Sequence, residues 1–362
     1  MVYFWAIAWI ILGLVKISRN GEKQHENILE NKISVIVPVR NEAKTIVKCL
    51  KAIQNQNFGR DSFEVIIVND HSTDNTLVVI KDFIENTDLN IELYSLSDNT
   101  SKKEALALGI EKSKYDLIAT TDADCIVKKD WLTYISNAIG EHCDMLLGPV
   151  MFQESHRLLG GFQTLDMLAL QGIEFGALAF QTPILNNAAN LAYSKKTFKG
   201  LGGLDNFNTP SGDDVFLLEK FQSKGKRIRG VFLRDFIVET APQISLSSLF
   251  QQRLRWASKS KYYTNKSLLF FSTLILIENL TIIFIYFGIP LVEKYRFYLG
   301  ILLFSKWLID FILLFLMADF FKRRSALFYF IPVQILYPIY IVLIGLASMF
   351  MKFEWKDRNF NG

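Results

Sequence analysis

Cysteine is scarce in this chain of 362 residues, with only Cys49, Cys125 and Cys143 present. Their spacing matches no metal-binding pattern and three cannot all pair, so a disulfide framework is excluded and a reducing compartment fits. A dominant charge is also missing. With 40 basic and 36 acidic residues the net charge is +4, which gives no reason to propose nucleic acid as a partner. No basic residue precedes the first apolar run, residues 2–15, and no small-x-small cleavage site follows it. An uncleaved anchor is therefore expected rather than a removed signal peptide.

Apolar residues make up half of the chain and include 30 Phe, but they are spread unevenly. Residues 1–17 and 268–351 are nearly devoid of charge, whereas 18–265 read like a soluble protein. The runs 268–290, 297–320 and 327–350 are each long enough to cross a hydrocarbon core of about 30 Å. Lys16, Arg19 and Lys23 follow the N-terminal run, and the positive-inside rule then delivers the middle of the chain to the cytoplasm. The same orientation makes the Lys322-Arg323-Arg324 loop cytoplasmic. The C-terminal tail would fall outside despite Lys352, Lys356 and Arg358, which leaves the sidedness of the last span open.

The expected organisation is an anchor at 1–17, an α/β domain at 30–245, an amphipathic interface helix at 246–262 and three transmembrane helices at 268–351. This describes a multi-pass protein of the plasma (inner) membrane with a cytoplasmic soluble domain. Glu278, Lys306 and Asp310 are charges within the spans, where charge is costly. Lys306 and Asp310 stand four apart on one helix face, and either neutralise each other or line an acceptor path. A further apolar-rich region, residues 158–178, reads as a mixture of interface helix and ordinary core.

From residue 33 strand-like and helix-like patterns alternate. Strand-like runs occupy 33–39, 64–68, 91–96, 117–121 and 145–150, with helical spacing at 42–54, 76–84, 102–112 and 131–138. Alternation with fully apolar strands argues for a mainly parallel, Rossmann-like sheet covered on both faces. Ligands collect beyond the carboxyl ends of such strands. The distinctive sequences fall there: Arg40-Asn41-Glu42, Asn69-Asp70-His71-Ser72 and Asp122-Ala123-Asp124. Residues two apart on a strand point the same way, so Asp122 and Asp124 offer paired hard oxygen ligands for Mg²⁺ or Mn²⁺ gripping a diphosphate. A simply hydrated edge cluster is the alternative. No G-x-G-x-x-G and no G-x-x-x-x-G-K-[ST] follows any strand, which argues against a dinucleotide fold or a P-loop and leaves phosphate to a metal.

The segments Ile33-Ser-Val-Ile-Val-Pro-Val-Arg-Asn-Glu42, Val68-Asn-Asp-His-Ser-Thr-Asp-Asn-Thr76, Lys103-Glu-Ala-Leu-Ala-Leu-Gly-Ile110 and Thr121-Asp-Ala-Asp124 resemble the family 2 glycosyltransferases. The likeness continues through Asn187-Ala-Ala-Asn190, Gly203-Leu-Asp205, Gly212-Asp-Asp214 and Gln252-Arg-Leu-Arg255-Trp256, so it covers about residues 33–260 in order. The final Q-x-x-R-W is similar to the signature of the membrane-embedded branch, which includes cellulose, chitin, hyaluronan and poly-N-acetylglucosamine synthases and ceramide glucosyltransferase.

The resemblance implies a GT-A fold and a nucleotide-activated sugar donor. It implies that Asp70 accepts a hydrogen bond from uracil, where a turn aspartate is the alternative. Asn69 departs from the family's usual Asp. Ser72 and Asp74 read as helix caps. Lys103 would approach the nucleotide or else lie on a solvated helix face. Asp124 would bind the metal directly, and Asp122 the metal, the ribose or the donor sugar. Asp214 would be the base that deprotonates the acceptor hydroxyl, supported by Asp213, with capping of the following helix as the alternative. Gln252 and Arg255 would hold the donor diphosphate and Trp256 would face the acceptor sugar.

One base and no carboxylate nucleophile imply a single inverting displacement that leaves a β-linkage. The expected function is metal-dependent transfer from a UDP-sugar to a growing β-linked polysaccharide, with a partner subunit able to complete an export path. Single transfer to a lipid acceptor is the alternative, and a non-catalytic membrane scaffold is the distant one.

Overall fold

The computed structural model describes residues 1–21, 31–97, 101–139, 143–204, 213–291, 293–356 and 358–360. Lys23, Asp205 and Gly212 lie outside the described residues, as does the side chain of Asp213. In chain order the elements are α1 (Val2–Gly21), β1 (Ile33–Val39), α2 (Ile46–Gln54), β2 (Phe63–Asn69), α3 (Thr76–Glu85), β3 (Ile91–Ser95), α4 (Lys102–Lys112), β4 (Leu117–Thr120), α5 (Trp131–Ala138), β5 (Met145–Leu147), β6 (Val150–Phe152), α6 (Leu158–Leu178), β7 (Leu191–Ser194), α7 (Lys195–Gly200), α8 (Asp213–Ser223), β8 (Ile228–Gly230), β9 (Val238–Thr240), α9 (Leu246–Ala257), α10 (Lys266–Leu291), α11 (Arg296–Phe320) and α12 (Phe330–Phe350), followed by a short antiparallel hairpin. They form two compact units. One is Ile17–Gln153 with Leu185–Ala241, and the other is Met1–Lys16 with Glu154–Ile184 and Pro242–Gly362.

The first unit is built on a seven-stranded sheet in the order β3-β2-β1-β4-β7-β5-β8. Strands β1 and β2 are buried along their whole length and are mostly apolar, as a covered parallel sheet requires, while the buried Ser34 hydroxyl donates to the buried Glu64 carboxylate at 2.7 Å. Helix α2 turns Ile46, Cys49, Leu50 and Ile53 inward at helical spacing. Strands β1, β2, β3 and β4 run parallel, and β7 enters antiparallel between β4 and β5. The expected mainly parallel sheet is therefore present, with one reversed strand.

The predicted strand at 145–150 is two strands. After β5 the chain leaves the main sheet and β6 pairs with β9 in a separate parallel ribbon. Gly148 sits at the break, where an added Cβ would lie 2.2 Å from Nδ2 of Asn190.

Because β2 and β3 lie on one side of β1 and β4 on the other, the crevice between β1 and β4 is the topological switch point of the sheet. Pro38 helps to open it. The Thr121 amide donates to the Ile36 carbonyl, so the even positions of β1 direct their backbone groups toward β4. Pro38 shares that parity and has no N–H to give, and the β1–β4 pairing has already ended at Ile36 and Thr120.

The second unit is helical. Among the described residues, four helices are long and apolar enough to cross a membrane: Val2–Arg19, Lys266–Phe287, Glu293–Phe320 and Arg324–Phe350. Helix α6 is almost wholly buried and is core of this unit rather than a surface element. It approaches α1 closely, since a Cβ on Gly13 would lie 1.9 Å from the Gly176 carbonyl oxygen.

Lys306 and Asp310 pair at 2.7 Å, as their spacing allowed. Gln334 of α12 closes the group, accepting from Lys306 at 2.8 Å and donating to Asp310 at 3.1 Å, and the Tyr3 hydroxyl of α1 donates to Asp310 at 2.7 Å.

Candidate active site

Two loops rim the crevice at the ends of β1 and β2. Asn41 and His71 both take positive φ, 50° and 52°, which turns each chain sharply away from its strand. Side chains join the loops. Arg40 donates to the carbonyls of Asp70 and His71 at 2.8 and 2.9 Å, and Asn41 Oδ1 accepts from the Thr73 amide at 2.8 Å. Asp70 is buried, and its carboxylate lies 3.4 Å from His71 Nδ1. Asn69 Oδ1 accepts from the Ser72 amide.

The N-cap position of α3 is Asn75, which makes no side-chain cap bond; Asp74 instead caps the first amide of the helix, that of Thr76, whereas Ser72 does not. Ser72 Oγ accepts from the Asn41 amide, and Asp74 accepts from the amides of Thr76 and Ala43. Burial pushes the Asp74 carboxyl up, but these hydrogen bonds outweigh it and hold it below the usual range.

The carboxylates of Asp122 and Asp124 converge, though by a different device from strand alternation. Strand β4 ends at Thr120, and residues 122–125 form a turn closed by the Cys125 amide on the Asp122 carbonyl. One ligand atom each from Asp122, Asp124 and Cys125 lies within 4.8 Å of the others. The turn is pinned from behind: Ile126 and Glu239 exchange backbone hydrogen bonds, and Thr240 Oγ1 donates to Asp124 Oδ2 at 3.2 Å. Burial, then Asp124 and Asp122, raise the Cys125 thiol well above its ordinary value, so it stays a neutral soft donor. The two carboxylates are the hard oxygen pair that Mg²⁺ or Mn²⁺ prefers.

Lys102, at the start of α4, lies 2.5 Å from Asp122 Oδ1. Sequence reasoning chose its neighbour Lys103. A Lys at the amino end of a helix beyond β3 was the available signal, but pattern alone does not tell which of two adjacent residues meets the carboxylate.

Residues 185–190 link this turn to the start of α8. Thr120 Oγ1 donates to the Ala188 carbonyl at 2.7 Å, and Asn186 Nδ2 donates to the Asp214 carbonyl at 3.0 Å. Asp214 is half-buried, and its Oδ1 accepts from the Val215 amide at 2.9 Å. Asn186 is buried and its Oδ1 has no hydrogen-bond partner. Asn190 is fully engaged by the fold, donating to the carbonyls of Pro149 and Phe236 and accepting from Trp131 Nε1. The sheet unit thus brings Asp122, Asp124, Lys102 and, through residues 185–190, Asp214 into one connected framework.

Gln252, Arg255 and Trp256 belong to the helical unit. Helix α9 opens with a capping box between Ser245 and Ser248. Its buried residues are Leu249, Leu254 and, against the expected pattern, the charged Arg253. Gln252 Oε1 is buried with no hydrogen-bond partner, and Trp256 is half-buried.

Comparison with known proteins identifies the family and the fold. The family described as "Glycosyl transferase family group 2" matches residues 117–350, and "Glycosyl transferase family 2" matches 34–185. The chain is 29% identical over 259 residues to the "Probable glycosyltransferase YdaM" of Bacillus subtilis, covering 69% of this chain and 60% of that protein. It is 28% identical over 271 residues to the poly-beta-1,6-N-acetyl-D-glucosamine synthase of Staphylococcus aureus, covering 70% of this chain and 62% of that one. The aligned part thus spans about three-fifths of the length of these relatives. Among solved structures, a mannosyltransferase from Pyrobaculum calidifontis, in complex with GDP-Man and Mn²⁺, shares the fold with a TM-score of 0.53 at 16% identity, covering 95% of this chain and 97% of that one. With the match over 117–350 taking in most of the chain, this protein belongs to the family 2 glycosyltransferases.

Proposed function

We propose that this protein is an inverting, metal-dependent transferase of the plasma (inner) membrane that moves a sugar from a UDP-sugar to a growing β-linked glycan at the cytoplasmic face. The observation that carries the reading is the convergence of Asp122 and Asp124 at the switch point of the sheet, with the Lys102 ammonium against Asp122. A hard carboxylate pair with a cation beside it suits a nucleoside diphosphate and its divalent ion, and not a neutral ligand.

In this reading Asp70 accepts from the uracil ring in its buried site, and Lys102 and Lys103 attract the diphosphate. Asp124 and Asp122 hold Mg²⁺ or Mn²⁺. When bound, the ion offsets the charge that develops on the leaving nucleoside diphosphate, so no general acid is required. Asp214 takes the proton of the attacking acceptor hydroxyl, with Asp213 beside it in sequence. The Asn186 bond to the Asp214 carbonyl fixes the start of α8, and Asn186 Oδ1 is an acceptor for a sugar hydroxyl. Gln252 and Arg255 engage the diphosphate and Trp256 the acceptor sugar.

Polymer synthesis is favoured by the relative named poly-beta-1,6-N-acetyl-D-glucosamine synthase. The four long apolar helices and the basic residues Lys16, Arg19 and Lys322-Arg323-Arg324 support the membrane setting and its orientation. The soluble domain proposed at 30–245 and the interface helix at 246–262 carry the chemistry, and a partner subunit would complete an export path.

The test is UDP release from a panel of UDP-sugars by the purified protein in lipid, with Mg²⁺ or Mn²⁺, alongside Asp214→Asn and followed by sizing of the product. Metal-dependent turnover that is lost in the variant supports the reading. A long product supports polymer synthesis, a product one sugar larger than a lipid acceptor overturns it in favour of glycolipid synthesis, and no turnover with any donor overturns both.

A further inference from the structure

Buried charge needs a reason, and α9 buries one that the Q-x-x-R-W motif does not include. Arg253 is 4% exposed and stands between Gln252 and the Arg255-Trp256 pair. Its Nη2 lies 2.7 Å from Asp166 Oδ2 on α6, and Asp166 is itself 5% exposed. The other oxygen of Asp166 is taken by the Tyr337 hydroxyl of α12, which donates to Oδ1 at 2.8 Å. Tyr337, Tyr340 and Phe162 form a mutually packed aromatic cluster, with ring centroids 4.9 to 6.2 Å apart, Phe162 and Tyr340 edge to face and the other two pairs tilted.

The guanidinium does one more thing. Its carbon sits 4.2 Å from the centroid of the Trp256 ring. Arg253 and Trp256 are three residues apart, so they share a face of α9, and a planar cation on an indole is attracted to the ring face.

We infer that Arg253 is a positioning residue: anchored by Asp166 and Tyr337, its guanidinium backs the indole of Trp256 and holds the ring as a fixed platform for the acceptor sugar. This rests on the reading of Trp256 as the acceptor-facing residue. Three helices far apart in sequence converge to hold one plane. A buried ion pair contributes little net stability, because desolvation offsets much of its attraction, so stability alone does not account for it. Fixing an aromatic ring does, since a platform left to rotate would lose part of its binding energy to ordering. Lys in place of Arg would keep the charge near Asp166 but lose the plane that stacks.

The test compares wild type with Arg253→Lys, Tyr337→Phe and Asp166→Asn in lipid, using UDP-N-acetylglucosamine as donor and a short β-1,6-linked N-acetylglucosamine oligomer as acceptor. In Arg253→Lys the acceptor KM should rise about tenfold, while UDP release without acceptor and the donor KM stay within about twofold. Tyr337→Phe should show a smaller shift in the same direction. A merely structural role would lower every rate in step with the folded fraction and leave both KM values alone, which would overturn the inference. An unchanged acceptor KM in Arg253→Lys would overturn it as well.

A second readout does not depend on turnover. The part of the acrylamide quenching due to Trp256, taken as the difference between each protein and its Trp256→Phe counterpart, should increase in Arg253→Lys. An increase with no turnover even in wild type would uphold the clamp and count against the transferase reading. No increase would overturn the clamp while leaving that reading intact.

Discussion

The ammonium of Lys102 lies 2.5 Å from Asp122 Oδ1, so the first residue of α4 places a cation against one of the two carboxylates at the end of β4. Both side chains are partly open, at 22% and 33% exposure, so the pair itself adds little stability. Its value is as a preset positive charge beside a diphosphate site. Lys102→Ala should raise the KM for the UDP-sugar about tenfold with a smaller change in kcat, whereas Lys103→Ala should change it by less than threefold. Steady-state UDP release measures both, and a larger effect from Lys103 would return the role to that residue.

Asp124 and Asp214 separate by what each loses. Asp124 is pinned by Thr240 and shares the hard oxygen pair with Asp122. Asp124→Ala should demand at least tenfold more Mn²⁺ to restore UDP release after chelation with EDTA. Asp214→Asn should leave the Mn²⁺ requirement and UDP binding unchanged while kcat falls by about 10² to 10⁴, the usual worth of a positioned base. A metal-requirement shift in Asp214→Asn would contradict that division.

Much of the sheet was legible because a covered parallel strand is mostly apolar, and β1, β2 and β4 read that way apart from Ser34, Glu64 and the strand-end residues Asn69 and Thr120. The helices followed from inward spacing such as Ile46, Cys49, Leu50 and Ile53. The reversed β7 and the β6–β9 ribbon were not legible: they are three or four residues long and exist through pairing with distant partners. At the site, the residue types were readable but the contacts were not. Ser72 looked like a cap because its type favours caps, yet it binds the neighbouring loop, and Asp74 divides between that loop and the first amide of α3. Arg253 looked like one polar residue of an amphipathic helix, and its partner Asp166 lies 87 positions away in the sequence.

Acid should weaken one edge of the sheet in a defined way. Asp144 precedes β5 and accepts from the Arg227 amide at 3.0 Å and from Thr197 Oγ1 at 3.2 Å. Burial raises its carboxyl, but the Arg227 amide, Thr197 and the Arg227 side chain together lower it below the usual 3.8. A depressed folded-state value means that the stabilisation is present in full above the unfolded value and is lost as pH falls through the folded one. Asp144→Asn should therefore cost about 1–2 kcal/mol near neutral pH, and the gap to wild type should close below about pH 4. Thermal unfolding at several pH values measures this, and a gap that widens in acid would contradict the assignment.

Lys306 and Asp310 left two roles open, and the structure supplies the terms for choosing. Asp310 meets Lys306, Gln334 and Tyr3, so three of the four long apolar helices are tied together by one neutral group. Removing one charge strands the other in a buried setting, at a cost of about 3–5 kcal/mol, while replacing both by apolar side chains of similar volume is far milder. Asp310→Ala should lower the unfolding midpoint in detergent sharply, and Lys306→Met with Asp310→Leu should recover most of it. If the pair only neutralises and fastens, the double variant should also retain glycosyl transfer and product length. If it lines an acceptor path, the double variant should be stable yet give shorter product, because a growing glycan would lose its polar contacts there.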